Sequence, residues 1–548
     1  MKLNYKRTIL VGFAFFLISA FWQAYDAIVP LILTNHFGLS QGWSGAVMSF
    51  DNVLAVFLLP IFGALSDKVS TRYGKRTPFI FIGTILAVIA FICLTFIDNY
   101  QFSSVISAEV TTNYDVAYTI QSQVGDLVKE AATSGSKELG VIAADQGKAI
   151  ADLFSATTIP DQYAAADALR DGAYELMSVA RASESEALVT MANSQLDNIT
   201  KLFTAIQNTT FAVTAANVAP LVGFILLLLL VLVSMAIFRS PAVALMPDVT
   251  VKPLRSKGNA IINLMGTAGG IIVLVLGMVF STSRIYMQYS WYVVAVCSVM
   301  LVGLGIFIFT VKEKLWAEEM LADTRKLEEN EPKAEEAPTE TRQLSKPELI
   351  SLILILASVA LWYIGYNSIT SKYSVYATRE LGFDYSATLI IAQAAAVVAY
   401  IPVGIISSRF GRRKTILAGI IMLASAFLIG NFITPLTPEF LMYPVFILAG
   451  IGWATINVNS FPMVVELAKG GDVGKYTGYY YTASMAAQIV APNLSGILYD
   501  VFGMRNVFFV FGTIFVALSF VTMFFVKHGD AKAEKQGALE ALAGASDD

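Results

Sequence analysis

Charged side chains are scarce in this chain: only 14% of its 548 residues are Asp, Glu, Lys or Arg, against 56% hydrophobic residues. A chain this apolar is not typical of a water-soluble protein, so we interpret it as an integral membrane protein. Its two cysteines, Cys93 and Cys297, lie inside apolar segments and indicate neither a disulfide nor a metal site. Its two histidines, His36 and His528, offer little from which to build a metal centre or catalytic triad. We therefore expect no cofactor, no metal, no nucleic-acid partner and no enzymatic activity.

Long apolar segments dominate the rest of the chain, and each can cross about 30 Å of hydrocarbon as a helix. They lie near 8–35, 44–66, 78–97, 215–247, 258–281, 290–311, 349–371, 386–408, 414–434, 439–466, 475–499 and 503–526. This pattern predicts an all-α integral membrane protein with twelve transmembrane helices, numbered here as membrane helices 1–12.

A short basic turn occurs twice, after membrane helices 2 and 8. The copies span Gly63–Pro78 (GALSDKVSTRYGKRTP) and Gly404–Thr415 (GIISSRFGRRKT), and their first residues are 341 positions apart. The same offset relates Asp26 to Asn367. The repeat predicts two pseudo-symmetric six-helix bundles, the framework of transporters that expose a central site alternately to each side of the membrane.

The polar segments complete the domain organisation. The predicted parts are 1–97 (membrane helices 1–3), 98–214 (an insert), 215–311 (membrane helices 4–6), 312–348 (a linker), 349–527 (membrane helices 7–12) and 528–548 (a tail). Lys and Arg concentrate in the short loops on one side, which predicts a multi-pass protein of the cell (plasma or inner) membrane with both termini in the cytoplasm and the insert outside.

The insert over 98–214 is acidic, with 15 acidic and six basic residues. Its Ala-rich stretches, bounded by Ser, Thr, Gly and Pro, predict three or four helices. A solvated helical cap and a module that binds an unknown extracellular partner both fit this composition.

Ionisable residues inside membrane helices are costly and usually face a wet cavity or a partner. Asp26 in membrane helix 1 is the first candidate for the coupling proton, and Asp51 in membrane helix 2 is the second, for a proton or another cation. Arg239 in membrane helix 4 lies at a similar depth to Asp26 and is its expected charge partner. The alternatives are a structural ion pair or hydrogen bond at Asp26 and polar packing between helices at Asp51.

Neutral hydrogen-bonding and aromatic side chains are the candidates for substrate binding, because they suit an uncharged, polyhydroxylated ligand. They are Trp22, Gln23, Tyr363, Tyr366, Asn367, Trp453, Asn457 and Gln488. Aromatic residues also populate membrane interfaces, and Asn also joins helices, so a structural role for each is open.

The basic turns are candidates for a latch between the bundles. The residues concerned are Asp67, Lys75, Arg76, Arg409, Arg412 and Arg413. Ser408 replaces the acid in the second copy, so we expect an asymmetric latch. Membrane topology alone would also explain the basic charge.

The turn resembles the signature turn of the major facilitator superfamily. Its longer form, SDKVSTRYGKRTPFI, is similar to that of plant sucrose transporters and related animal and bacterial sugar/proton symporters of the glycoside–pentoside–hexuronide group. The segments IGYNSITSKYSVYATRELG, RSPAVALMPD and GIGWATINVNSFPMVVE resemble membrane helices 7, 4 and 10 of bacterial members.

This resemblance implies proton-coupled symport of a sugar, a disaccharide or other glycoside, by alternating access. Plant members carry an acid midway along membrane helix 4, where this chain has an apolar run including Leu232, so we assign proton coupling to Asp26. Two alternatives stay open: a sodium-coupled symporter of the same fold, and a non-transporting receptor that uses the insert.

Overall fold

The computed structural model describes residues 3–108, 110, 114–251, 254–284, 286–330, 345–467 and 473–529. The fold is 87% helical and has no strand within these ranges. The central part of the predicted linker, 331–344, and the tail beyond 529 lie outside the described residues.

The first half of the membrane part is interrupted by the insert. Its helices, with those of the insert and the linker, are α1 (Tyr5–Leu31), α2 (Gln41–Met48), α3 (Phe50–Lys68), α4 (Thr77–Ile106), α5 (Asp115–Ser134), α6 (Lys137–Ser155), α7 (Ile159–Ala182), α8 (Glu186–Ala216), α9 (Ala219–Val249), α10 (Arg255–Val279), α11 (Ser290–Thr310) and α12 (Glu313–Asn330). Membrane helix 2 is divided into α2 and α3, α5–α8 form the insert, and α12 belongs to the linker. The first half is therefore α1–α4 with α9–α11.

The second half is continuous in sequence. Its helices are α13 (Lys346–Thr370), α14 (Tyr373–Tyr376), α15 (Tyr385–Phe410), α16 (Arg412–Gly430), α17 (Met442–Val465), α18 (Val473–Phe502) and α19 (Met504–Phe524). Helix α13 starts 341 residues after α1; a π-helical segment, Ile32–His36, follows α1, and another, Ala377–Leu381, follows α13 after the short helix α14. The two halves thus repeat one another in local structure as well as in sequence.

Ten helices among the described residues are long and apolar enough to cross a membrane. Of the other two predicted membrane helices, α15 has only a shorter apolar stretch, Tyr385–Tyr400, and α18 is interrupted by polar and tyrosine side chains. Both nevertheless pack among the membrane helices of the second half. The all-helical membrane fold predicted from the sequence is confirmed.

The two halves meet along two helix pairs. Helices α2 and α3 pack on α18, and α10 packs on α15. These pairs are equivalent under the repeat, because α15 corresponds to α2–α3 and α18 to α10. We call the end of the molecule that carries α5–α8 the insert face, and the end that carries the turns after α3 and α15 the basic face.

The halves are closely packed near the insert face. A Cβ atom at Gly45 of α2 would lie 2.1 Å from the carbonyl oxygen of Pro492, and one at Gly496 of α18 would lie 2.4 Å from that of Gln41. The Asp500 carboxylate accepts the backbone N–H groups of Gln41 and Gly42 at 2.7 Å, so a residue of the second half caps α2. The cavity between the halves is therefore closed on this side.

The insert is a small helical bundle with apolar cores of its own. Side-chain oxygens of Ser136, Thr158 and Ser185 accept backbone N–H groups at the starts of α6, α7 and α8, which explains where these helices begin. Helix α4 enters the insert without a break and runs to Ile106 rather than ending near 97. Asp98, which looked like the start of a loop, instead accepts a hydrogen bond from His36 Nδ1 at 2.6 Å, and both side chains are fully buried.

Candidate substrate and coupling site

A cavity of about 410 Å³ lies between the two halves, large enough for a small organic ligand. Both halves contribute polar or aromatic side chains to its lining: Gln23, Asp26, Thr267, Tyr366, Asn367, Thr370, Ser374, Gln393, Tyr400 and Trp453. Asp26 and Asn367, equivalent under the repeat, both line it. Such a position, between two related bundles, suits a site exposed to each side in turn.

Asp26 is solvent-exposed within this membrane helix because its side chain faces the cavity. The carboxylate forms no hydrogen bond with another described residue. Water that enters the cavity would reduce the desolvation penalty of an acid at this depth. The position predicted for the coupling proton is thus within reach of water.

Arg239 does not pair with Asp26, contrary to the sequence-based expectation. Its guanidinium lies 5.5 Å above the ring of Trp22, in a cation–π contact. The acid that interacts with it electrostatically is Asp51, which also interacts with Asp26. Trp22 lies one helical turn before Asp26, so stacking on that ring holds the arginine away from the Asp26 carboxylate.

An aromatic wall from the second half forms another side of the cavity. The rings of Tyr366 and Trp453 are stacked at 3.6 Å with an interplanar angle of 5°, and Tyr363 meets Trp453 edge-on at 5.4 Å. Asn367 Nδ2 donates to the Tyr363 carbonyl at 2.9 Å, which fixes the amide beside this wall. Flat aromatic surfaces next to amides can bind the apolar face and the hydroxyl groups of a sugar.

The structure separates the predicted substrate residues into two groups. Gln23, Tyr366, Asn367 and Trp453 line the cavity. The others stand behind that lining: Trp22 under Arg239, Tyr363 against Trp453, Asn457 buried in α17, and Gln488 half-buried on α18.

Sequence reasoning missed several lining residues, notably Gln393 of α15. Its Nε2 donates to Gln23 Oε1 at 2.6 Å and so joins the two halves. An amide in the otherwise apolar stretch IIAQAAAVVAY was the available signal, because polar residues within the membrane need a partner. Thr267 and Tyr400, which also line the cavity, gave less signal.

The basic turn after α3 is held by two residues. Arg76 donates to Asp248 at 2.8 Å, to Asp67 at 2.5 Å and to Ser66. Glu313, at the start of α12, was not singled out from the sequence. Its carboxylate accepts the backbone N–H groups of residues 75–77 at 2.6 to 2.8 Å and so caps α4.

The second basic turn makes its own contacts, also within its half. Arg412 pairs with Glu466, and Arg413 donates to the Phe524 carbonyl. The side chains of Lys75 and Arg409 are exposed. Apart from Glu313 of the linker, the partners of both turns lie in the same half as the turn, so the latch between halves stays a prediction for the state in which the basic face closes.

Comparison with known proteins places this architecture in a family. The sequence matches the Major Facilitator Superfamily over 199–401 and 385–545, and the MFS/sugar transport protein family over 10–122.

Solved transporters share the fold at low sequence identity. The inward-open xylose transporter XylE from E. coli is similar with a TM-score of 0.54 and 11% identity, covering 96% of this chain and 97% of that chain. A D-xylose-proton symporter gives a TM-score of 0.50 and 12% identity over 96% and 99% of the chains. A structure of proton-dependent oligopeptide transporters gives 0.51 and 11% over 95% and 99%. The chain is a multi-pass membrane transporter rather than an enzyme, and it belongs to the major facilitator superfamily.

Proposed function

We propose that this protein is a proton-coupled symporter of a sugar, a disaccharide or another glycoside, within the sugar-transporting branch that its basic turn resembles. One observation carries the proposal: the Asp26 carboxylate faces the same cavity as the stacked Tyr366–Trp453 wall and the Asn367 amide. An acid for the proton and a neutral surface for a sugar therefore share one space between the two halves. The basic loops favour an orientation with the insert face outside.

The charges around Asp26 suggest how coupling works. With both acids ionised, Asp26, Asp51 and Arg239 carry a net charge of −1, and one bound proton makes the cluster neutral. A bound sugar displaces the water that would solvate a net charge, so the sugar-loaded carrier crosses with the proton bound, whereas the empty, hydrated cavity lets the deprotonated carrier return. The sugar binds against the aromatic wall of the second half, and the proton and the sugar leave together on the cytoplasmic side.

The direct test is Asp26→Asn in proteoliposomes. We expect this variant to lose uphill sugar uptake driven by a pH gradient, while sugar exchange at equal concentrations continues, because a neutral side chain mimics the protonated acid. Asp197→Asn, an exposed acid of the insert, serves as the control and should transport normally. Uphill uptake by Asp26→Asn at the normal level would falsify the assignment of the proton to this residue.

A second experiment identifies the transported sugar and the coupling ion. A panel of labelled mono- and disaccharides is offered with and without a protonophore, in sodium-free and in sodium-containing buffer. Uptake that survives without sodium and collapses with the protonophore supports proton coupling. Uptake that requires sodium would instead assign Asp26 and Asp51 to a cation site, and no uptake of any sugar would refute the substrate class.

A further inference from the structure

The Gln23–Gln393 pair bridges the two halves at the cavity. The bond between them is 2.6 Å long, and a Cβ atom on Gly270 of α10 would lie 3.3 Å from Gln393 Oε1 and 3.6 Å from Gln23 Oε1. Each amide has two N–H donors and a carbonyl oxygen. One mutual bond thus leaves hydrogen-bonding capacity on both side chains, and Gly270 lets α10 approach the pair closely.

Opening the insert face requires the two halves to separate here, which breaks this bond. We propose that Gln23 and Gln393 are substrate-positioning residues whose mutual bond is exchanged for bonds to hydroxyl groups of the transported sugar. This proposal rests on sugar transport as the function. The exchange satisfies both amides when the halves are apart, so bound substrate stabilises the state in which the insert face is open.

Gln393→Leu and Gln23→Leu test the exchange, with whichever labelled disaccharide the wild-type protein takes up as the probe. We expect KM to rise at least tenfold in each variant. A deoxy analogue that lacks the hydroxyl group bound by one of these amides should bind the wild type poorly. It should bind no more weakly to the variant that lacks the same amide. Gln123→Leu, at an exposed amide of the insert, is the control. An unchanged KM in both variants, with the wild type active, refutes the exchange; a wild type that takes up no sugar refutes the proposed function instead.

The second inference concerns the insert, and it depends on a separate set of contacts. Arg379 belongs to the π-helical segment of the second half, yet its guanidinium reaches the insert and the first half. It donates to the Thr34 carbonyl at 3.1 Å, to Gln207 Oε1 of α8 at 3.3 Å and to the Tyr163 hydroxyl of α7 at 3.3 Å. Arg170 of α7 donates in turn to the Arg379 carbonyl.

A second contact joins the insert to the second half. Arg505, at the start of α19, donates a hydrogen bond to Tyr376 at 2.5 Å and interacts electrostatically with Tyr174 of α7. Helix α7 therefore contacts the second half at two separate arginines.

The insert is fixed more firmly to the first half. Gln207 Nε2 donates to the Leu39 carbonyl at 2.7 Å, and Thr214 Oγ1 donates to that of Phe37 at 2.9 Å. At Gly38, where φ is +66°, a Cβ atom would lie 2.4 Å from the Phe211 backbone nitrogen, so the loop and α8 touch through their backbones. Since α4 also continues into the insert, the insert moves with the first half.

We infer that the insert is a clamp on the insert face. The insert is attached to the first half and contacts Arg379 and Arg505 of the second half. Both contacts must therefore break before the cavity opens on this side. The clamp acts beside the direct contacts between the halves, where Lys372 donates to Ser44 at 2.6 Å and Asp500 caps α2. It stabilises the state seen here and slows the opening of the insert face.

Arg170→Ala and Tyr163→Phe test the clamp without altering a membrane helix. A cysteine at Ser374, which lines the cavity, reports access from the insert face when the natural Cys93 and Cys297 are replaced by alanine. With a membrane-impermeant maleimide we expect labelling at least threefold faster in both variants than in the parent. Lys201→Ala, at an exposed ion pair of the insert, is the matched control and should label at the parent rate.

The result that contradicts the clamp is an equal labelling rate in the parent and in both clamp variants, each variant being shown to be folded by a single gel-filtration peak. If either variant fails to fold, Tyr174→Phe weakens the interaction of the insert with Arg505 and replaces it under the same criterion.

Discussion

Two acids and one arginine determine the electrostatics of the cavity. Counting residues along membrane helices 1 and 4 placed Asp26 and Arg239 at similar depths, but depth does not give the direction of a side chain around its helix axis. Arg239 lies over Trp22 and interacts with Asp51. Which acid Arg239 interacts with depends on how α9 is rotated about its axis relative to α1 and α3. The residue pattern of a single helix does not show that rotation.

The role of Arg239 can be tested by removing its charge. Arg239→Gln leaves Asp26 and Asp51 without a nearby cation, a change worth on the order of 3 kcal/mol where charges are desolvated. We expect transport to fall at least tenfold. Adding Asp51→Asn to this variant should restore part of the activity, whereas adding a distant substitution, Asp197→Asn, should not. Equal activity of the two double variants would show that Asp51 is not the partner.

The insert contains an acid with a raised pKa, Asp167 of α7. Asp167 pairs with Arg170 at 3.0 Å and lies near Asp171, Arg379 and Glu380. Burial raises the pKa of Asp167 from 3.8 to about 6. The folded insert therefore binds this proton more tightly than the unfolded chain does.

Stability of α7 should depend on pH accordingly. The helix is most stable below about pH 4, loses stability as the pH rises towards 6, and changes little above that, by about 3 kcal/mol at most. Hydrogen exchange over 159–182, corrected for the intrinsic rate, should show stronger protection at pH 5 than at pH 7.5. Asp167→Asn should abolish the difference, and a difference that persists in this variant must come from another group.

Among the helices, the contact of α2 with α18 closes the insert face. It depends on glycines, because at Gly45 and Gly496 the opposing backbone stands where a Cβ atom would be. Backbone atoms cannot turn aside as a flexible side chain can. The sequence showed these glycines but not their opposing partners, which lie more than 400 residues away.

Gly45→Val should therefore hold the insert face open. We expect uptake to be lost while a cysteine at Ser374 labels readily from that side. Gly478→Ala on α18 is the matched control, since nothing lies within 4 Å of the added methyl group, and it should transport normally. A Gly45→Val protein that is folded and transports at the wild-type rate would contradict the close packing.

For the molecule as a whole, the distribution of Lys and Arg predicts the orientation. Ser183, exposed in the turn between α7 and α8, should react as a cysteine with an impermeant reagent added to intact cells. A fluorescent protein fused after residue 548 should be protected from protease in the same cells. Reversed accessibility of the two sites would reverse the proposed direction of transport.

Much of the architecture followed from sequence because long apolar segments and an internal repeat are strong, local signals. The helical insert also followed from its composition. The contacts that close the molecule did not, since the Gln23–Gln393 bond, the Asp500 cap on α2 and the hydrogen bonds of Arg379 to the insert join residues 172 to 459 positions apart. Their side chains are ordinary polar groups that become informative only when the helices are assembled.

Helix α4 is one unbroken rod of 30 residues, about 45 Å long, from the Arg76 turn at one end to the insert at the other. A tilt of this helix at the insert therefore also moves the Arg76 turn at its other end. An antibody fragment that holds the insert against the second half would thus immobilise the turn on the far side of the membrane, and it would arrest the transport cycle without entering the pathway.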